Sequence, residues 1–313
     1  MPGPFDRFFY RYQPPFSANY GMFFGGITVG GKGGTTLYNR VDRLDLGKIA
    51  TVTSWHTMSE ATYNTAGSTS KGSGGINFRT GGLLAASGLS KRHDSQAVIS
   101  TGAMTYHGDI ATTLQGACGG ATKTHYFTFA GTAGTGGGDV IRKKLVKSTA
   151  VPVATTFTTI GNGFGGDVNE TTNYFFVGPV GSTNTTRLER ISSYNGSGAK
   201  LWSTFTASRT NCAIAGNENR TWAIGGGGYT STVGYTSNHS SSTGKLWTSL
   251  PGANNKLTAA SSQFRSVISP SEQSATPTYA SGFIYFDHNT QAAFVLYGLS
   301  TGRSGIKSGS GSN

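Results

Sequence analysis

The sequence predicts an all-β chain folded as a single β-propeller of six four-stranded blades. Three observations predict it. First, an aromatic run followed by glycine recurs along the chain: Phe23-Phe24-Gly25-Gly26, Phe78-Arg79-Thr80-Gly81-Gly82, Phe127-Thr128-Phe129-Ala130-Gly131, Phe175-Phe176-Val177-Gly178 and Trp222-Ala223-Ile224-Gly225-Gly226. Phe283-Ile284-Tyr285-Phe286-Asp287 is a sixth, eroded copy. The copies follow one another at about 47 to 62 residues, the range of propeller-type repeats. Second, glycine accounts for 48 of 313 residues, as many tight turns with positive φ require. Third, no segment of adequate length carries an apolar stripe of period 3.6 with caps, so almost no helix is expected.

Four strand-like pieces are traced in each repeat. The first is a small-residue stretch suited to a crowded inner edge: residues 61–69, 114–122, 160–168, 210–216 and 263–269. The second is the aromatic–glycine strand. The third alternates, as a half-buried strand does: residues 41–46, 96–99, 141–146, 187–191, 233–235 and 294–297. The fourth follows a Gly- or Ser-rich turn and holds a large aromatic, namely Trp55, Tyr106, Phe157, Trp202 or Trp247. An outer-strand aromatic is expected to wedge between neighbouring blades, burying about 150–250 Å².

On this tracing the last repeat ends after its third strand. Strands at about residues 5–20, including Phe8-Phe9-Tyr10-Arg11-Tyr12 and Pro15-Phe16-Ser17-Ala18-Asn19, are expected to complete it. Strands from both ends of the chain then close the ring and remove free sheet edges. The propeller spans residues 1–304, and residues 305–313 (GIKSGSGSN) read as a flexible tail.

Aromatics make up 12% of the chain, placed at a regular period, which excludes a disordered low-complexity protein. The formal net charge is +12. It points to anionic neighbours such as cell-surface polymers or acidic proteins. The one dense basic cluster, Arg142-Lys143-Lys144 with Lys147, sits inside a predicted strand pair. No helix, zinc knuckle or aromatic–basic platform accompanies it, so nucleic acid is not an expected partner. Cys118 and Cys212 occupy comparable places in non-adjacent repeats, too far apart in a ring for a disulfide; both read as small buried side chains. The N-terminus has no signal-peptide pattern, and no apolar run is long enough to span a membrane. A surface rich in Ser, Thr, Asn and Gly without an export signal fits a virion protein, made in a reducing cytoplasm and working outside the cell.

The residues resemble a kelch-type repeat: an aromatic strand ending in paired glycines, a polar alternating strand, then a tryptophan ahead of a small-residue strand. Phe23-Phe24-Gly25-Gly26 through Arg43-Leu44-Asp45-Leu46 to Trp55-His56-Thr57-Met58 carries the likeness. So does Trp222-Ala223-Ile224-Gly225-Gly226 through Tyr235 to Leu246-Trp247. The glycine pair is lost at Gly131, Gly178 and Asp287. In its degenerate, Ser/Thr/Gly-rich style the chain is similar to kelch-like propellers among the virion proteins of tailed bacteriophages. The resemblance implies a non-enzymatic structural protein, tail-associated or otherwise exposed on the particle and assembled in the host cytoplasm. Its partners would be other virion proteins, symmetry-related copies of itself and host-surface polysaccharide.

The motifs of enzymatic propellers are not met. Copper-radical oxidases of kelch fold need a cysteine-linked tyrosine, a second tyrosine and two histidines at one metal. His56, His93, His107, His125, His239 and His288 are instead scattered along the chain with no pair at ligand spacing. Gly134 to Gly138 and Gly225 to Gly228 lead into no helix and no Gly-Lys-Ser/Thr ending, so they read as turns rather than phosphate loops. No catalytic residue, metal ligand or cofactor is expected. Surface contacts are expected from Tyr229, Tyr235 and His239, near predicted blade turns, and from Arg142, Lys143 and Lys144. A lectin-like carbohydrate-binding propeller and a divergent kelch-fold enzyme are the alternatives.

Overall fold

A computed structural model describes residues 20–29, 35–46, 52–62, 66–69, 76–80, 84, 88–98, 100–109, 118–121, 125–129, 139–144, 153–156, 166–169, 174–178, 185–192, 200–209, 212–226, 230–250, 258–261, 265–269, 282–290, 292–298 and 307–310. The described residues are all-β, with no helix, arranged as six small sheets and a hairpin.

The first sheet runs β1 (Tyr20–Phe24), β4 (Arg40–Asp45) and β5 (Thr53–Thr57), each antiparallel to the next. Between its first two strands stands the hairpin of β2 (Ile27–Val29) and β3 (Thr35–Leu37). The second sheet runs β6 (Ala66–Thr69), β7 (Ile76–Thr80), β8 (Arg92–Ala97) and β10 (Thr105–Asp109). From the loop before β10, the short β9 (Gly102–Ala103) crosses over to pair in parallel with β5.

The third sheet runs β11 (Cys118–Ala121), β12 (His125–Phe129), β13 (Asp139–Lys144) and β14 (Val153–Thr156). The fourth runs β15 (Gly166–Asn169), β16 (Tyr174–Val177), β17 (Thr185–Ser192) and β18 (Lys200–Arg209). The fifth runs β19 (Ala213–Gly216), β20 (Arg220–Ile224), β21 (Thr232–Ser237) and β22 (Lys245–Ser249). The sixth runs β23 (Ala259–Ser261), β24 (Arg265–Ile268), β25 (Gly282–Asp287) and β26 (Ala293–Gly298). Last, β27 (Lys307–Ser310) returns to the first sheet and pairs antiparallel with β1, Met22 opposite Gly309.

Two expectations about the chain ends are corrected by this pairing. The sixth sheet already has four strands from residues 259–298, because Arg265–Ile268 is its second strand rather than its first. Phe283 and Phe294 therefore lie on third and fourth strands, one place later than expected. It is the first sheet that lacks an inner strand, and β27 supplies it from the segment expected to be a flexible tail. The N-terminal strands expected at residues 5–20 lie, apart from Tyr20, outside the described residues.

Five of the six aromatic runs lie on second strands, and among the described residues β1, β7, β16 and β20 have buried side chains on both faces. Met22, Phe23 and Phe24 in β1, and Trp222, Ala223 and Ile224 in β20, are wholly excluded from solvent. Alternate side chains of one strand point to opposite faces, so consecutive residues serve different neighbours. Phe23 packs with Ala260, Val267 and Phe283 of the sixth sheet, its ring 4.7 Å from that of Phe283. Met22 and Phe24 face the other way, towards Val98 and Met104 beyond the second sheet's third strand. Likewise Trp222 and Ile224 join Ile268, Ile284 and Phe286 of the sixth sheet. Ala223 joins Phe176, Leu188 and Phe205 of the fourth. Phe78 of the second sheet stacks 5.0 Å from Tyr126 of the third. Inner strands follow the same order, since β27 touches β6, β6 touches β11, and β15, β19 and β23 follow in turn; β23 touches β27.

The glycines of the repeat have two separate causes. Gly25 and Gly26 have φ of 61° and 120°, and Gly225 and Gly226 repeat this at 61° and 101°. Side chains are disfavoured there. Gly67, on an inner strand, is required by proximity: a Cβ there would lie 2.4 Å from the Phe24 ring. Gly67→Ala is expected to cost about 1–3 kcal/mol through overpacking. Gly102→Ala would meet nothing within 4 Å and should lose only the cost of its positive φ, about 1 kcal/mol. Urea midpoints of the two variants check this; an unshifted Gly67→Ala would contradict the close approach.

Candidate functional site

Of the residues expected at the surface, those described lie in or beside strands of the third and fifth sheets. Tyr229 lies outside the described residues. Tyr235 lies on β21, within the alternating strand expected there. It is half-buried, with its ring 5.0 Å from Trp247 and the Arg220 guanidinium 5.0 Å from its centre. Packing of this kind occupies the ring. His239 is exposed in the bend after β21, its Nε2 3.3 Å from Asn219 Oδ1. Arg142, Lys143 and Lys144 lie on β13, opposite Phe127, Tyr126 and His125 of β12. Cys212 is buried and joins no disulfide among the described residues.

A repeated arginine–aromatic ladder went unrecognised in the sequence. On the first sheet, the Arg43 guanidinium sits 3.1 Å from the centre of Trp55 and 4.3 Å from that of Tyr20. The fourth sheet repeats the arrangement, with Arg190 at 3.7 Å from Trp202 and 4.2 Å from Tyr174. In the fifth the arginine moves to the second strand and the tyrosine to the third, with Arg220 at 4.7 Å from Trp247. Each such contact contributes about 0.5–2 kcal/mol, depending on desolvation. Trp55 Nε1 then donates to the Val98 carbonyl at 2.7 Å, and Trp202 Nε1 to the Ser237 carbonyl at 2.9 Å. Both bonds reach the end of the next sheet's third strand, so the fourth-strand tryptophan does wedge between sheets. The ladder eluded sequence reading because its members come from separate strands at unequal spacing; a tyrosine opening Tyr20–Phe24 and Tyr174–Val177 was the available signal.

The densest polar cluster joins the first sheet to the second. Arg79 is fully buried on β7; it donates to Glu60 Oε1 at 2.9 Å and Thr62 Oγ1 at 3.0 Å, and contacts Asp94 Oδ2 at 3.4 Å. Ser59 holds the Asp94 carboxylate through its hydroxyl, at 2.8 Å and 2.9 Å, and its backbone N–H. Burial pushes the Asp94 carboxyl up from its ordinary value, while Arg79 and Ser59 oppose the shift. Ser90 also donates to Glu60. Towards solvent, Arg92 lies 3.5 Å from the other Glu60 oxygen. Beyond it stands Tyr106, 48% exposed, with its hydroxyl donating to Asp109 at 2.7 Å. That bond, above all, pushes the Tyr106 hydroxyl up from its usual value.

Buried histidines are joints as well. His56 Nε2 pairs with Asn77 Nδ2 at 2.8 Å, between the first and second sheets. His288 lies flat against Trp222 at 4.2 Å and pairs with the Ser266 hydroxyl at 2.8 Å, between the fifth and sixth. Among the described residues no three His, Cys, Asp or Glu side chains form a group that would hold a metal. Among the described residues, no helix is long and apolar enough to cross a membrane. No protein-family model matches the chain, and no curated protein is significantly similar to it.

Burial, with Arg43 nearby, pulls the His56 pKa down from 6.5 to about 4. The folded state therefore resists a proton that the unfolded chain accepts, so stability is lost as pH falls from 6.5 towards 4. His56→Gln should remove this component. Urea midpoints of the two proteins should differ by an amount that changes across that window; a difference constant with pH would contradict the assignment.

Proposed function

We propose that the six sheets are the blades of one closed β-propeller, and that the chain is a non-enzymatic structural protein of a tailed-phage particle. In this reading β27 closes the ring by completing the first blade. The blade edges and loops present a rigid surface to symmetry-related copies, to other virion proteins and to the host surface.

The observation that carries the propeller is the cyclic order of contacts, from β27 through β6, β11, β15, β19 and β23 back to β27. The contact of Phe23 with Phe283 lies at the seam where the two ends of that order meet. A scaffold role is supported by the way ionisable groups are used. Arg79, Asp94, His56 and His288 are all buried and hold one sheet to the next. The virion assignment draws on the repeat's likeness to phage propellers and on the net charge of +12, which suits anionic neighbours.

Particles banded on a density gradient from a producing host should contain the chain at a fixed ratio to the other particle proteins, measured by quantitative mass spectrometry. Recovery only from the particle-free supernatant would overturn the virion role.

A further inference from the structure

We propose that Tyr106, Arg92 and Asp109 form a binding platform for a neutral pyranose at the outer edge of the second sheet, on edge strand β10 and its neighbour β8. The inference rests on the host-surface part of the scaffold reading, and saccharide binding and particle association are measured separately, so either can fail alone.

Tyr106 departs from the fourth-strand tryptophans; Phe157 lies outside the described residues. Trp55, Trp202 and Trp247 are half-buried, and each packs under an arginine at 3.1 Å, 3.7 Å and 4.7 Å respectively. Tyr106 is 48% exposed and its arginine, Arg92, is 5.2 Å from the ring centre. The cause is local. The pairing of β10 with β8 slips between Tyr106 and Asp109, and Gly108 takes a φ of 96°. A bulge of this kind re-aims side chains on an edge strand. It brings the Asp109 carboxylate back to the Tyr106 hydroxyl.

An aromatic ring with exposed surface, a guanidinium and a carboxylate are the groups a pyranose recognises. The apolar C–H face of the sugar lies on the ring, and adjacent hydroxyls share bonds with the guanidinium and carboxylate. Here the groups are pre-positioned. Asp109 holds the tyrosine, and Glu60 holds Arg92 while being held itself by Arg79 and Ser90. Little side-chain freedom remains to be lost on binding. Charge decides between sugar classes. The carboxylates of Glu60, Asp94 and Asp109 offset the guanidiniums of Arg79 and Arg92. The site thus has no cationic surplus to draw a uronate, in contrast to the chain as a whole.

The full-length protein would be titrated with the methyl glycosides of glucose, galactose, mannose and N-acetylglucosamine, with methyl glucuronide as the charged comparison. Saturation-transfer difference NMR reads which sugar protons lie on an aromatic ring. At least one neutral glycoside should bind, with its strongest signals on one face. Tyr106→Ala should weaken binding about tenfold or more, and Tyr106→Trp should retain it, with both variants melting like the parent. Three results would each overturn the proposal: no neutral glycoside binds, binding is unchanged in Tyr106→Ala, or only the glucuronide binds.

Discussion

Burial of the second strand on both faces is the constraint from which the rest of the architecture follows. A strand in a two-layer sandwich needs one apolar face. Met22-Phe23-Phe24 and Trp222-Ala223-Ile224 need two, because each has a sheet on either side. That requirement replaces alternation with a continuous apolar run. It brings the second strand β1 so close to the inner strands of its neighbours that only glycine fits at Gly67 of β6, against Phe24, and at Gly21 a Cβ would lie 2.8 Å from the Ala260 Cβ of β23. Paired glycines of positive φ after the run then turn the chain outward, at Gly25-Gly26 as at Gly225-Gly226.

Polar chemistry is organised around the same seams. A charge placed between two sheets has lost its water and must be paired, which is why Arg79 collects Glu60, Thr62 and Asp94. Arg209 solves the problem differently. It reaches from the end of β18 to the Gly225 and Thr232 carbonyls at 2.8 Å and 2.7 Å, and burial pulls its pKa down. Fourth-strand tryptophans belong to this scheme too, each with its face against a guanidinium and, for Trp55 and Trp202, its N–H on the neighbouring sheet. Where the pattern relaxes, at the bulge of β10, polar groups and an aromatic ring reach the surface together.

The second strands were legible in the sequence because two-sided burial writes itself as adjacent aromatics, and the glycine pair marks where the run stops. Strand order in the second to fifth sheets followed from the same marker. The sixth departs from the marker because its second strand, Arg265–Ile268, carries no aromatic, and the aromatic run at Phe283 falls on its third. The inner strand Lys307–Ser310 was concealed by composition: a small, Ser- and Gly-rich segment reads as a linker, yet small residues are what a crowded inner edge demands. Arginine–aromatic ladders and the polar seam around Arg79 join residues from separate strands. They became visible only once the register was known.

The proposed ring depends most on the first and sixth sheets meeting, since that contact separates a closed ring from an open row of sheets. A double-mutant cycle on Phe23→Leu and Phe283→Leu, read by urea denaturation of the full-length chain, tests it directly. The rings are 4.7 Å apart at a tilt of 58°. A coupling energy of about 0.5–1.5 kcal/mol is expected for such a pair. Strictly additive effects of the two substitutions would contradict the closure.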